Sequence, residues 1–299
     1  NSGWPSIDID GYLGDKSETN NPLGDYSQDE SAKLIRPRQL LHLALTKLGE
    51  KYRQVFRLMI IPTAVGVLGA IMFSSENFIL ILFGLVLTVV SAVFIILATI
   101  SLVNIFGDKE LPTIPDYLKV SSRKFWPYVW VLALFGFIVT GGLFLFIIPG
   151  IILSVWFSVA IYALILEDRK GMDALARSKH LVSGKFWKTW GRILFMGFVG
   201  VIINVPFQVI DRYSGTLFIS PTFNLLVTLP LSASFYVLFF KDLVRIKPEP
   251  FVYDKKSARK FIIVGLVGIL LLVGLLAFGG YYYFTKLKPF LQTSTVTQT

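Results

Sequence analysis

Seven stretches of this 299-residue chain are apolar for about as long as a lipid bilayer is thick. They lie near 55–73, 78–106, 128–148, 150–166, 189–210, 217–240 and 261–284. A helix needs roughly 17–25 apolar residues to cross about 30 Å of hydrocarbon. A backbone in lipid has no water to bond, so runs of this length must close their hydrogen bonds internally as helices. The fold class read from the sequence is therefore an all-α integral membrane protein of about seven transmembrane helices. The mean hydropathy of +0.65 and a charged fraction of 16% agree with that reading, since soluble domains carry about 25% charged residues. The second run is long enough to tilt or to extend past the bilayer. The third and fourth are separated only by Ile147-Ile148-Pro149-Gly150, whose proline and glycine supply a turn. A re-entrant hairpin over 128–166 that never reaches the far side is the alternative.

Charge gives the orientation. Of the 29 lysines and arginines, 26 fall on one side of the seven spans, and only Arg212, Lys286 and Lys288 fall on the other. Positively charged loops stay cytoplasmic, which places the N-terminus inside and the C-terminus outside. Residues 1–30 hold seven acids and one base, for a net charge of −6, so the remaining 28 bases and 12 acids give about +16. Residues 1–31 lack periodicity and read as a disordered acidic cytoplasmic tail. Residues 32–247 read as a six-helix membrane domain, and 248–299 as a linker, a seventh helix and a short external tail. No cleavable signal peptide precedes the first apolar run, so the first span acts as the targeting signal.

Three cytoplasmic segments share a plan, at 39–56, 115–130 and 172–190. Each has a short amphipathic stretch read as an interfacial helix, then a basic residue beside an aromatic, then a two-helix hairpin. The boundary residues are Lys51-Tyr52, Lys124-Phe125-Trp126 and Lys185-Phe186-Trp187. Lysine can neutralise or snorkel towards anionic headgroups, and Phe and Trp favour the headgroup boundary. These residues are read as interfacial anchors. The pattern is either a threefold internal repeat, parallel because every unit enters from the same side, or the ordinary grammar of membrane boundaries. In 172–182, Ala174, Leu175, Ser178, Leu181 and Val182 share one helical face, while Asp173, Arg177 and His180 share the other. Gly184 ends that helix.

The stretch from Pro149 to Trp187 resembles the polytopic membrane domain found beside bacterial glycerophosphoryl diester phosphodiesterases, and in related stand-alone membrane proteins. The matching residues are Pro149-Gly150, Trp156, Glu167, Ala174-Leu175, Ser178, Leu181-Val182, Gly184 and Phe186-Trp187. The resemblance implies a six-helix domain in a bacterial cytoplasmic membrane. Outside 149–187 it rests on helix layout alone. This chain departs from it by a seventh helix and by lacking a soluble phosphodiesterase domain, so that activity is not carried over.

Catalytic chemistry is poorly represented. The chain has no cysteine and two distant histidines, His42 and His180. It shows no nucleophile–histidine pairing, metal-ligand spacing or phosphate-cradling glycine loop. The reading is non-enzymatic, with no metal and no cofactor. Glu167 and Asp168 read as a solvated helix end. The polar cluster of interest is Asn204, Gln208 and Asp211, spaced along one face of the fifth helix, which Asn224 and Thr228 on the sixth could meet. Pro206, Pro221 and Pro230 interrupt the same helices. Such a face either bonds helices together or, in transporters, binds solutes at broken helices. Small residues at Gly66 and Ala70, Gly197 and Gly200, and Gly265, Gly268 and Gly274 allow close helix approach, within one bundle or between copies. The expected partners are a bilayer with anionic headgroups and a homo-oligomer or membrane-protein partner, without nucleic acid. The leading function is a scaffold or envelope-associated protein contacting lipid or partners; the alternative is a transporter or lipid-handling protein using the 204–228 face.

Overall fold

A computed structural model describes residues 34–108, 113–216, 218–247, 251, 255–283 and 285. The acidic tail, and much of the segments flanking the seventh helix, lie outside the described residues. The elements are α1 (Pro37–Phe73), α2 (Phe78–Phe106), α3 (Ile114–Leu145), α4 (Ile147–Phe157), α5 (Ala160–Glu167), α6 (Met172–Val182), α7 (Phe186–Ser214), α8 (Ile219–Phe223), a π-helical turn at Asn224–Thr228, α9 (Leu229–Ile246) and α10 (Lys255–Tyr282). Seven helical stretches are long and apolar enough to cross a membrane, with α4–α5 forming the fourth and α8, the π turn and α9 the sixth. The chain is all-α among the described residues, as its hydropathy requires.

The helix boundaries follow local chemistry. Pro37 opens α1 within its first turn, where a missing N–H costs nothing. Asn77 caps α2 by accepting the N–H of Ile79 at 2.9 Å. Gly184, at φ +79°, ends the segment after α6 in a left-handed conformation that glycine adopts without strain.

Three boundaries differ from the sequence reading. The first two interfacial helices are not separate elements: 39–50 is the first third of α1, and 115–127 is the start of α3. Both sequences keep their helical period across the boundary. Pro62 and Pro127 fall inside helices that continue around them. Only the third unit has a detached short helix, α6. The turn between the third and fourth spans is made by Phe146, extended at φ −161° and ψ 148°, rather than by Pro149-Gly150. Pro149 sits in the first turn of α4. Gly150 serves close packing, because a Cβ there would lie 2.8 Å from the Leu143 Cα.

The fourth span is broken. Its hydrogen-bond ladder is interrupted at Ser158-Val159, between α4 and α5. Ser178 of α6 mends the gap: its hydroxyl donates to the Trp156 carbonyl at 2.7 Å and accepts the Val159 N–H at 3.2 Å. An unpaired buried backbone group costs about 1–3 kcal/mol, so this one side chain removes two such costs. Ala174, Leu175, Ser178, Leu181 and Val182 are all fully buried. The face predicted to lie on lipid therefore packs into the bundle.

The core runs along the helices and includes the fully buried or nearly buried Leu40, Ala44, Phe106, Leu164, Phe235 and Phe239. Glycines bring two further helix pairs close together, α1 with α2 and α3 with α10. A Cβ on Gly84 of α2 would lie 2.5 Å from the Phe73 N and 2.8 Å from the Gly69 O of α1. A Cβ on Gly268 of α10 would lie 1.9 Å from the Gly141 O of α3. Gly66 faces Ser91, whose hydroxyl bonds the Pro62 carbonyl at 2.9 Å. Gly197 and Gly274 face open space instead.

Candidate functional site

The lysines of the basic–aromatic boundaries have internal partners. Lys51 donates to the Ile105 carbonyl at 2.9 Å and reaches Asp108 at 3.4 Å. Lys124 donates to the Ile165 carbonyl at 2.8 Å and pairs with Asp168. Asp108 and Asp168 are the only non-glycine residues at positive φ among those described, at 62° and 56°. Each follows the span after the one that the lysine enters, and each lies three residues after the bonded isoleucine. The lysine ahead of one span thus closes the carbonyl end of the next, where a cation also offsets the helix dipole. Lys51 and Lys124, read as interfacial anchors, thus find acceptors within the protein. The repeated Ile-x-x-Asp at 105–108 and 165–168 was the available sequence signal.

The third unit departs from this plan. Lys247 occupies the position at the end of α9 where the other units carry aspartate. Its ammonium donates back to the His180 carbonyl at 2.8 Å and to the Ser183 carbonyl. Lys185 makes no ion pair among the described residues. The aromatic boundary residues Tyr52, Trp126 and Trp187 are exposed, while Phe125 and Phe186 are half-buried.

Asp108 also holds Lys47 at 3.2 Å and Lys241 at 2.7 Å, so three lysines from α1 and α9 meet one carboxylate. Burial pushes its acidity towards the neutral form. The hydrogen bonds and charges of Lys241 and Lys47 outweigh that and hold it at about 2. Glu167 is not a solvated helix end. It accepts from the Arg177 Nε at 2.9 Å and Nη2 at 3.0 Å, and Arg169 lies 3.4 Å away. Arg177, predicted on a polar outer face, is buried, and stacks with Arg169 on Phe251. The residues of the 149–187 motif thus share structural tasks: Gly150 admits Leu143, Ser178 mends the fourth span, Glu167 holds α6 through Arg177, and Gly184 turns the chain into α7.

The polar face of the fifth and sixth spans is assembled as the spacing implies, but in two parts. Asn204 donates to the Gly200 carbonyl at 2.8 Å and to Thr228 Oγ1 at 3.0 Å, and accepts from the Asn224 Nδ2 at 3.3 Å. Asp211 stands apart from this network. Its carboxylate takes the Thr216 hydroxyl at 2.6 Å and the N–H groups of Ile219 at 3.1 Å and Ser220 at 2.7 Å, which fixes the turn between the two spans. Gln208 has no hydrogen bond among the described residues and is exposed. Pro221 and Pro230 flank the π-helical turn, which carries Asn224 and Thr228.

Sequence periodicity could not foresee the space beside this face. The middle of α7 stands away from the bundle. A Cβ on Gly197 would meet nothing within 4 Å, and one on Gly200 only the Thr228 methyl at 4.0 Å. The result is a groove of ≈ 700 Å³ between α7, Ile95 of α2 and the π turn, with Asn204, Asn224 and Thr228 in its wall. It adjoins a hollow of ≈ 660 Å³ reaching Arg212 and Thr216, the two sharing Gln208, Ser220 and Pro221. Helix α7 is held at its ends. Arg192 bonds the Ile35 carbonyl and lies over the Phe239 ring near the start, and Asp211 anchors the finish. No group of three or more metal-ligating side chains occurs among the described residues.

A family model described as a domain of unknown function (DUF8558) matches residues 120–245, which includes α6, the broken fourth span and the whole groove-forming pair. The chain matches no curated protein and no solved structure.

Proposed function

We propose that this chain is a non-enzymatic protein of a bacterial cytoplasmic membrane, built as three hairpins and a further helix, whose work is to hold lipid beside its fifth and sixth spans. The observation that carries this reading is the groove along α7. It lies along a helix long and apolar enough to cross a membrane, and its wall bears a hydrogen-bonded amide cluster. Such pockets combine a mostly apolar lining with a few placed polar groups. Four buried or half-buried acids beside the spans already hold donors: Asp108 with three lysines, Glu167 with Arg177, Asp211 with backbone N–H groups, and Asp242 with the Ile35 N–H at 3.0 Å and Arg245 at 2.9 Å. That favours structural roles for them over proton transfer. The likeness to the phosphodiesterase-linked membrane domain is part of the same reading; it rests on the residues of 149–187 and, outside them, on helix layout alone.

The test is native mass spectrometry of the protein released from lipid nanodiscs, with wild type beside Asn204→Ala. A stoichiometric lipid retained by wild type and lost in the variant is the expected result. Bulk lipid alone, or a copurified protein unaffected by the variant, would instead favour a scaffold. The proposed orientation is tested separately by cysteine labelling. The chain has no native cysteine, so Ser214→Cys should react with an impermeant reagent from outside the cell and Ser257→Cys only from inside. The reverse pattern would overturn the charge argument.

A further inference from the structure

The groove is graded along its length, and the gradient matches one kind of molecule. Its lower part is apolar, lined by Ile95, Gly197, Gly200 and Val201. Its middle carries amides, with Asn224 and Gln208 in the wall. Its upper part carries hydroxyls and one cation, Thr216, Ser220 and Arg212. With Trp187 at one boundary, Asn204 lies 17 residues along α7, about 26 Å at 1.5 Å per residue. Gln208 then stands near the far edge of about 30 Å of hydrocarbon, and Arg212 one turn beyond it. The order is therefore hydrocarbon, amide donors, cation, at the depths of acyl chain, ester and phosphate.

The free valences agree. Asn224 has two amide N–H groups and gives one to Asn204. Gln208 and Arg212 make no hydrogen bond or ion pair among the described residues, and both are exposed to the groove. Asp211 stays an anion beside Arg212, but its oxygens are engaged with the connecting turn, Oδ1 with Thr216 and Ile219 and Oδ2 with Ser220, which leaves Arg212 as the cation of the lining.

Building on the lipid-holding function, we propose that the groove seats a single anionic glycerophospholipid of the outer leaflet, lengthwise along α7. One acyl chain lies against Gly197 and Gly200, an ester carbonyl accepts from Asn224 or Gln208, and the phosphate pairs with Arg212. Leucine at Gly200 would fill the chain-bearing part. A neutral residue at 212 would remove the headgroup preference and leave the chain site open.

The full chain is placed in nanodiscs of equal phosphatidylglycerol and phosphatidylcholine, and retained lipid is counted by native mass spectrometry. Wild type is expected to keep one phosphatidylglycerol in preference to phosphatidylcholine. Arg212→Gln should lower that preference about fivefold, the effect of one cation near an anionic surface, while still retaining a lipid. Gly200→Leu should lose both lipids alike. Ile95→Trp, which fills the same space from α2, guards against misfolding of the α7 variant. Arg123→Gln, on the opposite side of the membrane, should change nothing. A preference unmoved by Arg212→Gln, with retention still lost in Asn204→Ala, overturns the phosphate assignment and leaves the lipid-holding function standing. Wild type that keeps no lipid above bulk, or keeps a protein instead, overturns both.

Discussion

Glu167→Ala is expected to be the most damaging single substitution in the chain, lowering stability by about 3–5 kcal/mol. The Glu167 carboxylate takes two N–H groups of Arg177 at 2.9 and 3.0 Å, and the Arg177 side chain is only 7% exposed. Its Nη1 is buried and has no partner among the described residues. Without Glu167 the guanidinium would be a desolvated charge with no carboxylate to meet it, and α6 would be driven off the bundle. Ser178 would leave with it, uncovering the Val159 N–H and Trp156 carbonyl in the broken span. Denaturation midpoints in detergent measure the loss. Adding Arg177→Met to Glu167→Ala should recover a large part of it, since the cost comes from the stranded charge and not from the missing pair. Asp168→Asn is the contrast, because asparagine keeps the left-handed backbone at φ 56° and removes only the charge. The Asp168 carboxylate is 69% exposed, and exposed pairs are worth about 0–1 kcal/mol. Equal losses for the two substitutions would show that burial of the Arg177 pair does not decide the energetics.

Gly268→Ala is expected to detach the seventh helix, although it adds one methyl group. That carbon would fall 1.9 Å from the Gly141 oxygen and 2.4 Å from its carbonyl carbon. Both are backbone atoms, so no side chain can rotate away and the helices must move apart. Overpacking typically costs about 1–3 kcal/mol, and this site has no soft neighbour to lower it. Gly141→Ala should behave alike, its Cβ lying 2.4 Å from the Gly265 oxygen. Gly274→Ala should be neutral or gain about 0.5–1 kcal/mol from helix propensity, because nothing lies within 4 Å of it. Similar denaturation midpoints for the 268 and 274 variants would remove the close contact between α3 and α10 from the account of stability.

The bonds of Lys51 and Lys124 to the carbonyl ends of later helices show what a local pattern leaves out. A lysine at the start of a span is visible in sequence. Its acceptor lies 54 residues away in one unit and 41 in the other, and no periodicity connects them. Ser178 was legible as a member of an apolar helical face. The gap it mends became visible only with Trp156 and Val159 in place.

The sequence alone determined the all-α class, the seven spans, their approximate ends and the face on which Asn204 and Asp211 lie. These depend on sums over 20 or so neighbouring residues, or on 3.6-residue spacing, and both are local. The tertiary structure decided which glycines meet a backbone and which face open space, whether Arg177 is wet or buried, and that α7 stands off the bundle to leave a groove. Each of those depends on where another helix lies, and helix packing in lipid is set by contact between surfaces brought together from distant parts of the chain.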